Sequence, residues 1–330
     1  MKIVQFTAFG KGHEVAKVVE VEDPGAPAAG EVLVDVEAFP VNSVDLLTIA
    51  GTYASRPKLP AIPGSEGLGR VVETGAGVSH VKRGDRVLLM GRENWMQRKR
   101  LKVAEVIPVA VDADPLQLAM LKINPATAFL MLKRYRELGS GEWLIQNAAN
   151  SGVGTNLIGL AKADGVRTVN VVRRDDLVAP LKSLGADVVI VDGPDLAARV
   201  SEATKRAEIP LGIDAVAGDA TGRLAGCLAE DGVVVNYGLL SGKPCTIEAH
   251  QVVFRQITLT GFWLVKYLSA MSKDEKAALY ADLGARVASK ALEVKIAAVY
   301  GIDDIDTALE HAAREARGGK VLVTPNGPVN

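Results

Sequence analysis

Over the first third of the chain, apolar and polar positions alternate in short runs. These lie at Lys2 to Phe9, Val15 to Val21, Glu31 to Ala38, Gly69 to Glu73, Arg86 to Met90 and Leu101 to Val109, with Gly and Pro between them. Alternation gives each strand one apolar face, and turn residues at regular spacing let such strands fold back on one another, so this region predicts a small, partly open β-barrel. From Trp143 the pattern changes. Nearly continuous apolar runs at Trp143 to Asn147, Arg167 to Val172, Asp187 to Val191, Leu211 to Val216, Gly232 to Tyr237 and Ile257 to Phe262 are separated by helical stretches. Strands buried on both faces read this way, and six of them in that rhythm predict an α/β fold with a doubly wound, parallel six-stranded sheet of the Rossmann kind. After Val265 come a long amphipathic helix at Lys273 to Ala288, a strand at Lys295 to Tyr300, a helix at Ile302 to Ala316 and a final strand at Lys320 to Thr324. This tail is expected to return to the first domain. The reading is therefore a discontinuous domain of residues 1–120 and 266–330 around a nucleotide domain of residues 121–265.

The bulk numbers narrow the classes. With 330 residues and 48% hydrophobic content, the chain can bury two cores. Lys plus Arg (38) nearly equals Asp plus Glu (39), so no single-sign field would draw it to nucleic acid or to an anionic membrane. No apolar run approaches the roughly 20 residues that cross a bilayer. The first strand run starts beside Met1, which leaves no room for a targeting segment, and a cytoplasmic protein is expected. Cys227 and Cys245 stand outside any ligand-spaced cluster, and His13, His80, His250 and His311 show no ligand spacing either. Neither a disulfide framework nor a metal site follows.

Candidate chemistry begins where the first strand of the second region ends. Trp143 to Asn147 runs into Ala148-Ala149-Asn150-Ser151-Gly152-Val153-Gly154, and an amphipathic helix to Asp164 follows. A pyrophosphate needs unpaired backbone N–H groups at a helix start and residues small enough for close approach. Asn150, Ser151, Gly152, Val153 and Gly154 meet that demand, although Ala149 and Ser151 replace the first two glycines of a GxGxxG fingerprint. At the end of the second strand, where an acidic residue would bind a ribose 2′-hydroxyl, the chain has Arg173-Arg174. Two guanidinium groups suit a 2′-phosphate, so NADPH is the expected cofactor. Asp176 reads as the acid at the start of the next helix.

These residues resemble the medium-chain dehydrogenase/reductase superfamily. The likeness rests on the ordered set Pro63-Gly64-Ser65-Glu66-Gly67, Gly84-Asp85-Arg86-Val87, Asn124-Pro125-Ala126-Thr127-Ala128, the turn at 147–154 and Gly319-Lys320-Val321. Gln146 to Gly154, Asn170 to Arg173 and Gly261-Phe262-Trp263-Leu264 resemble the branch of mitochondrial-type trans-2-enoyl-CoA/ACP reductases, with quinone oxidoreductases as more distant cousins. The resemblance implies that the first domain is a GroES-like barrel. Zinc members hold their metal with a Cys near Asn42 and a His in Gly-His-Glu; here Asn42 and Gly64-Ser65-Glu66 lack both soft ligands, so the chain resembles the zinc-independent members.

Without a metal, donors aimed at the developing enolate oxygen must stabilise its charge. The resemblance implies that Tyr53, in Gly51-Thr52-Tyr53, is the catalytic acid; a phenol is protonated, hence a donor, at neutral pH. It also implies that Asn124 lies near the nicotinamide, that Tyr237, Gly238, Leu239 and Leu240 contact the cofactor, that Phe262, Trp263, Leu264 and Val265 line the nicotinamide and substrate cleft, and that Lys320 reaches a cofactor phosphate or ribose. Trp95 and Trp263 are candidates for an acyl pocket. The basic run Arg98-Lys99-Arg100 with Lys102 could receive coenzyme A phosphates or an acyl carrier protein, but a solvated strand face is the favoured reading. The expected reaction is NADPH-dependent reduction of an enoyl thioester, with a quinone reductase as the alternative and a catalytically silent NADPH-binding protein as a third reading. A homodimer paired through the last strand of the nucleotide sheet is expected by resemblance.

Overall fold

The computed structural model describes residues 1–329. It divides into two compact units, Met1–Ile123 with Ser272–Asn330, and Asn124–Met271. The crossings fall at 124 and 272, where the sequence pattern suggested 121 and 266, and local packing explains both. Lys122 donates from Nζ to the Ser65 and Gly91 carbonyls, and its own carbonyl accepts from the Tyr280 hydroxyl, which holds the chain to the first unit up to that point. At the other end Tyr267, on the helix Leu264–Ala270, stacks on Phe262 and bonds Tyr135, so this helix stays with the second unit.

The first unit is built on a sheet in which strands Ile296–Gly301, Lys320–Thr324, Glu31–Pro40, Leu68–Thr74, Arg86–Leu89 and Val106–Pro108 are successive neighbours, and Arg98–Lys102 adds to Glu31–Pro40. The tail strands do join this sheet: Lys320–Thr324 pairs antiparallel with Glu31–Pro40. The run Leu101 to Val109, read as one strand, is two. A 3-10 turn at Val103–Glu105 separates Arg98–Lys102 from Val106–Pro108 and lets them pair with different partners. Lys2–Phe6 is shorter than the alternation suggested and pairs with Ala16–Glu20, the helix Gly12–Val15 between them. Inward positions of these strands, among them Phe6, Val34, Phe39 and Leu89, form one apolar core with Trp95 from the segment before Arg98–Lys102 and with Ile305 and Leu309 of the helix Ile305–Ala313.

In the second unit six parallel strands lie in the order Val188–Val191, Arg167–Val172, Trp143–Gln146, Leu211–Asp214, Val233–Asn236, Thr258–Gly261. The order reverses between Trp143–Gln146 and Leu211–Asp214. Ligands of such sheets bind beyond the carboxyl ends of the strands at that reversal. The four residues of Trp143–Gln146 are all buried, as the uninterrupted apolar run required. The helix Asn124–Arg134, which buries Ala126, Ala128, Leu130 and Met131, packs on the helix Gly152–Ala163. Among the described residues no helix is long and apolar enough to cross a membrane.

Candidate active site

At the reversal in the second unit, the chain leaves the strand Trp143–Gln146 through Asn147 and enters the helix Gly152–Ala163 after four small residues. Ser151 caps this helix by accepting the Gly154 N–H at 3.1 Å. The amides of Gly152 and Val153 precede the first intrahelical acceptor and point out of the helix start, the arrangement that binds an anionic oxygen. Gly154 cannot carry a side chain, because a Cβ there would stand 2.5 Å from the Ala149 carbonyl oxygen. The turn is thus held against the helix closely enough to present its backbone, and it fits a dinucleotide pyrophosphate.

A buried carboxylate organises the floor beneath it. Asp214 accepts from Asn147 Nδ2 at 2.6 Å, Thr221 Oγ1 at 2.6 Å, Asn236 Nδ2 at 3.0 Å and the backbone N–H groups of Val216 and Ala217. Asn147 Oδ1 in turn accepts the Ala215 N–H at 2.7 Å. Five donors satisfy a charge that would be prohibitive alone in this interior, and they tie three neighbouring strand ends into one piece. Sequence reading passed over Asp214. Its signal is polar residues, Asn147, Asp214 and Asn236, at the carboxyl ends of three otherwise apolar strands.

Arg174 donates to Asp176 at 3.0 Å, so Asp176 orients a guanidinium as well as starting the 3-10 turn Asp175–Leu177. Tyr237 lies beside the Ser151 hydroxyl, and burial pushes its phenol up to about 12. Asn236, Tyr237, Gly238 and Leu239 line a concavity of about 300 Å³ together with Gly261, Phe262, Trp263, Lys266 and Tyr267. Leu240, Leu264 and Val265 do not line it: Leu264 and Val265 open the helix Leu264–Ala270, which turns them along a helix face. Asn124 begins the helix Asn124–Arg134 of the same unit.

The first unit holds Tyr53. Its loop starts where the helix Ser43–Ile49 ends, and Gly51 turns the chain with φ of 73° in a place where a Cβ would strike the Phe9 ring. The Thr52 and Tyr53 N–H groups return to the Leu47 carbonyl, and the Arg92 guanidinium lies 5.6 Å from the centre of the half-buried Tyr53 ring. The phenol is therefore held by its backbone and by a cation over its ring.

The same helix starts at a buried polar cluster. Asn42 caps it, accepting Asp45 as the reciprocal partner of a capping box: the Asn42 N–H donates to Asp45 Oδ2 at 2.9 Å. Asn42 Nδ2 donates to Glu66 Oε1 at 2.6 Å, and Glu66 Oε2 accepts the Ile123 N–H at 2.9 Å. Lys320 donates to Asn42 Oδ1. Burial raises the Glu66 carboxyl and pushes the Lys320 ammonium down to about 8, each partly opposed by the other's charge. The Lys320 ammonium is buried, donates to Asn42 and is attracted by the Glu66 charge. Asn42 bonds Glu66, and the Ser65 N–H donates to Asp45 Oδ1 at 2.9 Å. Among the described residues no group of three or more His, Cys, Asp or Glu could hold a metal ion.

Arg98 pairs with Asp35 and Asp23, Arg100 pairs with Glu31, and Lys99 donates to Asn94, which agrees with the favoured reading of the basic run as a strand face. Trp95 is fully buried and stacked on Phe39 at 5.4 Å, which makes it core, whereas Trp263 lines the concavity.

Comparison with known proteins decides the family. The mitochondrial enoyl-acyl-carrier-protein reductase of Dictyostelium discoideum is 32% identical over 304 residues, covering 89% of this chain and 86% of its own. The chain belongs to that reductase family and is an oxidoreductase. Residues 28–105 match the alcohol dehydrogenase GroES-like domain, and residues 152–279 match the family described as zinc-binding dehydrogenase, both of the medium-chain dehydrogenase/reductase superfamily. Among solved structures, the Etr1p complex with NADP and crotonyl-CoA is 27% identical with a TM-score of 0.86, covering 98% of this chain and 99% of its own. Escherichia coli quinone oxidoreductase complexed with NADPH is 25% identical with a TM-score of 0.86, covering 98% and 100%. The GroES-like and Rossmann architecture read from the sequence is the architecture of these neighbours.

Proposed function

We propose that the protein reduces the activated C=C bond of a trans-2-enoyl thioester with NADPH and without zinc. The observation that carries this reading is the pairing of a built dinucleotide turn, at Ser151 to Gly154, with the Gly51-Thr52-Tyr53 loop in a chain of the enoyl reductase family. Arg173 and Arg174 favour the 2′-phosphate form of the cofactor, because guanidinium groups bind phosphate and gain little from a neutral ribose. When bound, NADPH supplies a hydride for the β-carbon. Gly152 and Val153 amides hold the pyrophosphate, and Asn236, Tyr237, Gly238, Phe262 and Trp263 shape the nicotinamide and substrate side. Asn124 belongs to the same reading as a nicotinamide neighbour. Tyr53 donates a hydrogen bond to the thioester carbonyl, or its proton to the α-carbon, as negative charge develops.

A quinone reductase is the second reading, favoured by the likeness to Escherichia coli quinone oxidoreductase. NADPH oxidation followed side by side with crotonyl-CoA and with a benzoquinone separates the two. Turnover of crotonyl-CoA is expected; quinone turnover with no enoyl turnover would overturn the first reading. The same reading includes a cytoplasmic homodimer. The edge strand Thr258–Gly261 has one sheet neighbour and exposes Leu259, with Phe254 exposed just before it, which suits pairing with a second copy.

A further inference from the structure

The concavity beyond the strands Val233–Asn236 and Thr258–Gly261 contains a feature that hydride transfer does not use. Its walls are Leu239, Phe262, Trp263 and Tyr267, and the only charged side chain lining it is Lys266. Tyr267 is fixed from three directions. Its ring stacks on Phe262 at 4.6 Å and 11°, the Arg134 guanidinium lies 4.8 Å from its centre, and its hydroxyl meets that of Tyr135 at 2.7 Å. Tyr135 is itself anchored to the Gly261 carbonyl at 3.0 Å. The wall is therefore preformed, and a ligand entering it meets little ordering cost.

The charge beside this wall is uncompensated. Arg70, Arg86, Arg98, Arg100, Arg167 and Arg223 each lie against a carboxylate. Among the described residues neither Lys266 nor Arg134 forms an ion pair, and the two stand around one tyrosine. An apolar slot with one unpaired ammonium at its edge selects a molecule that is apolar along its length and anionic at one end.

We propose that Lys266 is a specificity-determining residue that binds an anionic group of the substrate, giving anionic enoyl thioesters an advantage over neutral ones. This rests on the enoyl thioester reading. The anion can come from the phosphates of the carrier portion or from a carboxylate at the far end of the acyl chain, and the chemistry of recognition is the same. The test compares wild type with Lys266→Gln on three thioesters: crotonyl-CoA, crotonyl-N-acetylcysteamine and the N-acetylcysteamine thioester of trans-glutaconic acid. Wild-type kcat/KM for crotonyl-CoA or for the glutaconyl thioester, divided by that for the neutral crotonyl thioester, should fall about tenfold in the variant, the scale of one lost hydrogen bond to a charged group. A fall in the first ratio assigns the phosphate, and a fall in the second assigns the acyl carboxylate. Both ratios unchanged within twofold would overturn the proposal. If no enoyl thioester is reduced at all, the enoyl reading fails by itself. Calorimetry of coenzyme A and of glutarate on the NADP+-loaded protein then decides the inference: weaker binding of either to Lys266→Gln upholds it, and equal binding refutes it. An unchanged melting temperature of the variant guards against misfolding.

Discussion

Tyr53, Arg174 and Lys320 carry single charges or donors whose surroundings set what they do. Tyr53→Phe removes one hydroxyl and leaves the ring that Arg92 covers, so NADPH affinity should persist while turnover of an enoyl thioester falls tenfold or more. Fluorescence titration of NADPH beside steady-state rates checks this, and unchanged turnover would remove Tyr53 from the reaction. Replacing Arg173 and Arg174 by Ala should lower kcat/KM for NADPH at least tenfold while leaving that for NADH within a few fold, because only the 2′-phosphate loses its partners. Lys320 shows where residue-level reading stops. Gly319-Lys320-Val321 is legible as a motif, but nothing in the local pattern reveals that Asn42, far away in sequence, takes the ammonium. Long-range polar pairing leaves no periodic trace. Lys320→Met should remove the stronger of the two buried cations that act on Glu66, leaving Lys122, and cost up to about 3–5 kcal/mol of stability, with the Glu66→Gln/Lys320→Met double variant recovering a large part. Urea denaturation of the four proteins measures the coupling.

At the scale of elements, regular strands were the most legible. The six runs of the nucleotide sheet, the helix Lys273–Ala288 and the two tail strands fall within a residue or two of the observed elements, whereas the run Ile302 to Ala316 is a 3-10 turn at Ile302–Asp304 followed by the helix Ile305–Ala313; burial on both faces or on one stripe writes a strong period. Short helices such as Gly12–Val15, Ser43–Ile49 and Leu264–Ala270 were not legible. They are too short to show a period; a capping box starts Ser43–Ile49, while Gly12–Val15 and Leu264–Ala270 have no side-chain cap. The helix Ser43–Ile49, which leads to Tyr53, has a start that depends on pH. Burial raises the Asp45 carboxyl from 3.8 to about 6, against the hydrogen bonds from Asn42 and Ser65. Between those values the folded chain binds more protons than the unfolded one. This contribution to stability is therefore full below about pH 4 and is lost as pH rises through about 6. Asp45→Asn should flatten that part of the stability profile, read as denaturation midpoints across the window. An unchanged slope would place the titration elsewhere.

For the whole molecule, the insertion of the nucleotide sheet between two sequence segments of the first unit followed from the order of patterns along the chain. What periodicity could not supply was the polar floor under the turn, where Asn147, Asp214 and Asn236 meet only because parallel strands bring their ends together. The reaction itself is least legible, since the same scaffold serves thioesters and quinones. Assembly belongs to this scale too. If the edge strand pairs two copies, Leu259→Asp should convert a particle of twice 34.8 kDa into one of that mass in sedimentation, and a wild-type monomer would contradict the pairing. In the proposed reaction hydride passes to the β-carbon of an enoyl thioester while a proton reaches the α-carbon. Mass spectrometry of the product formed from crotonyl-CoA and NADPH deuterated at the nicotinamide C4 tests it most directly. Butyryl-CoA with deuterium at the β-carbon, and with solvent hydrogen at the α-carbon, is the predicted result. NADPH consumed with no labelled butyryl-CoA, or only in the presence of a quinone, would contradict it.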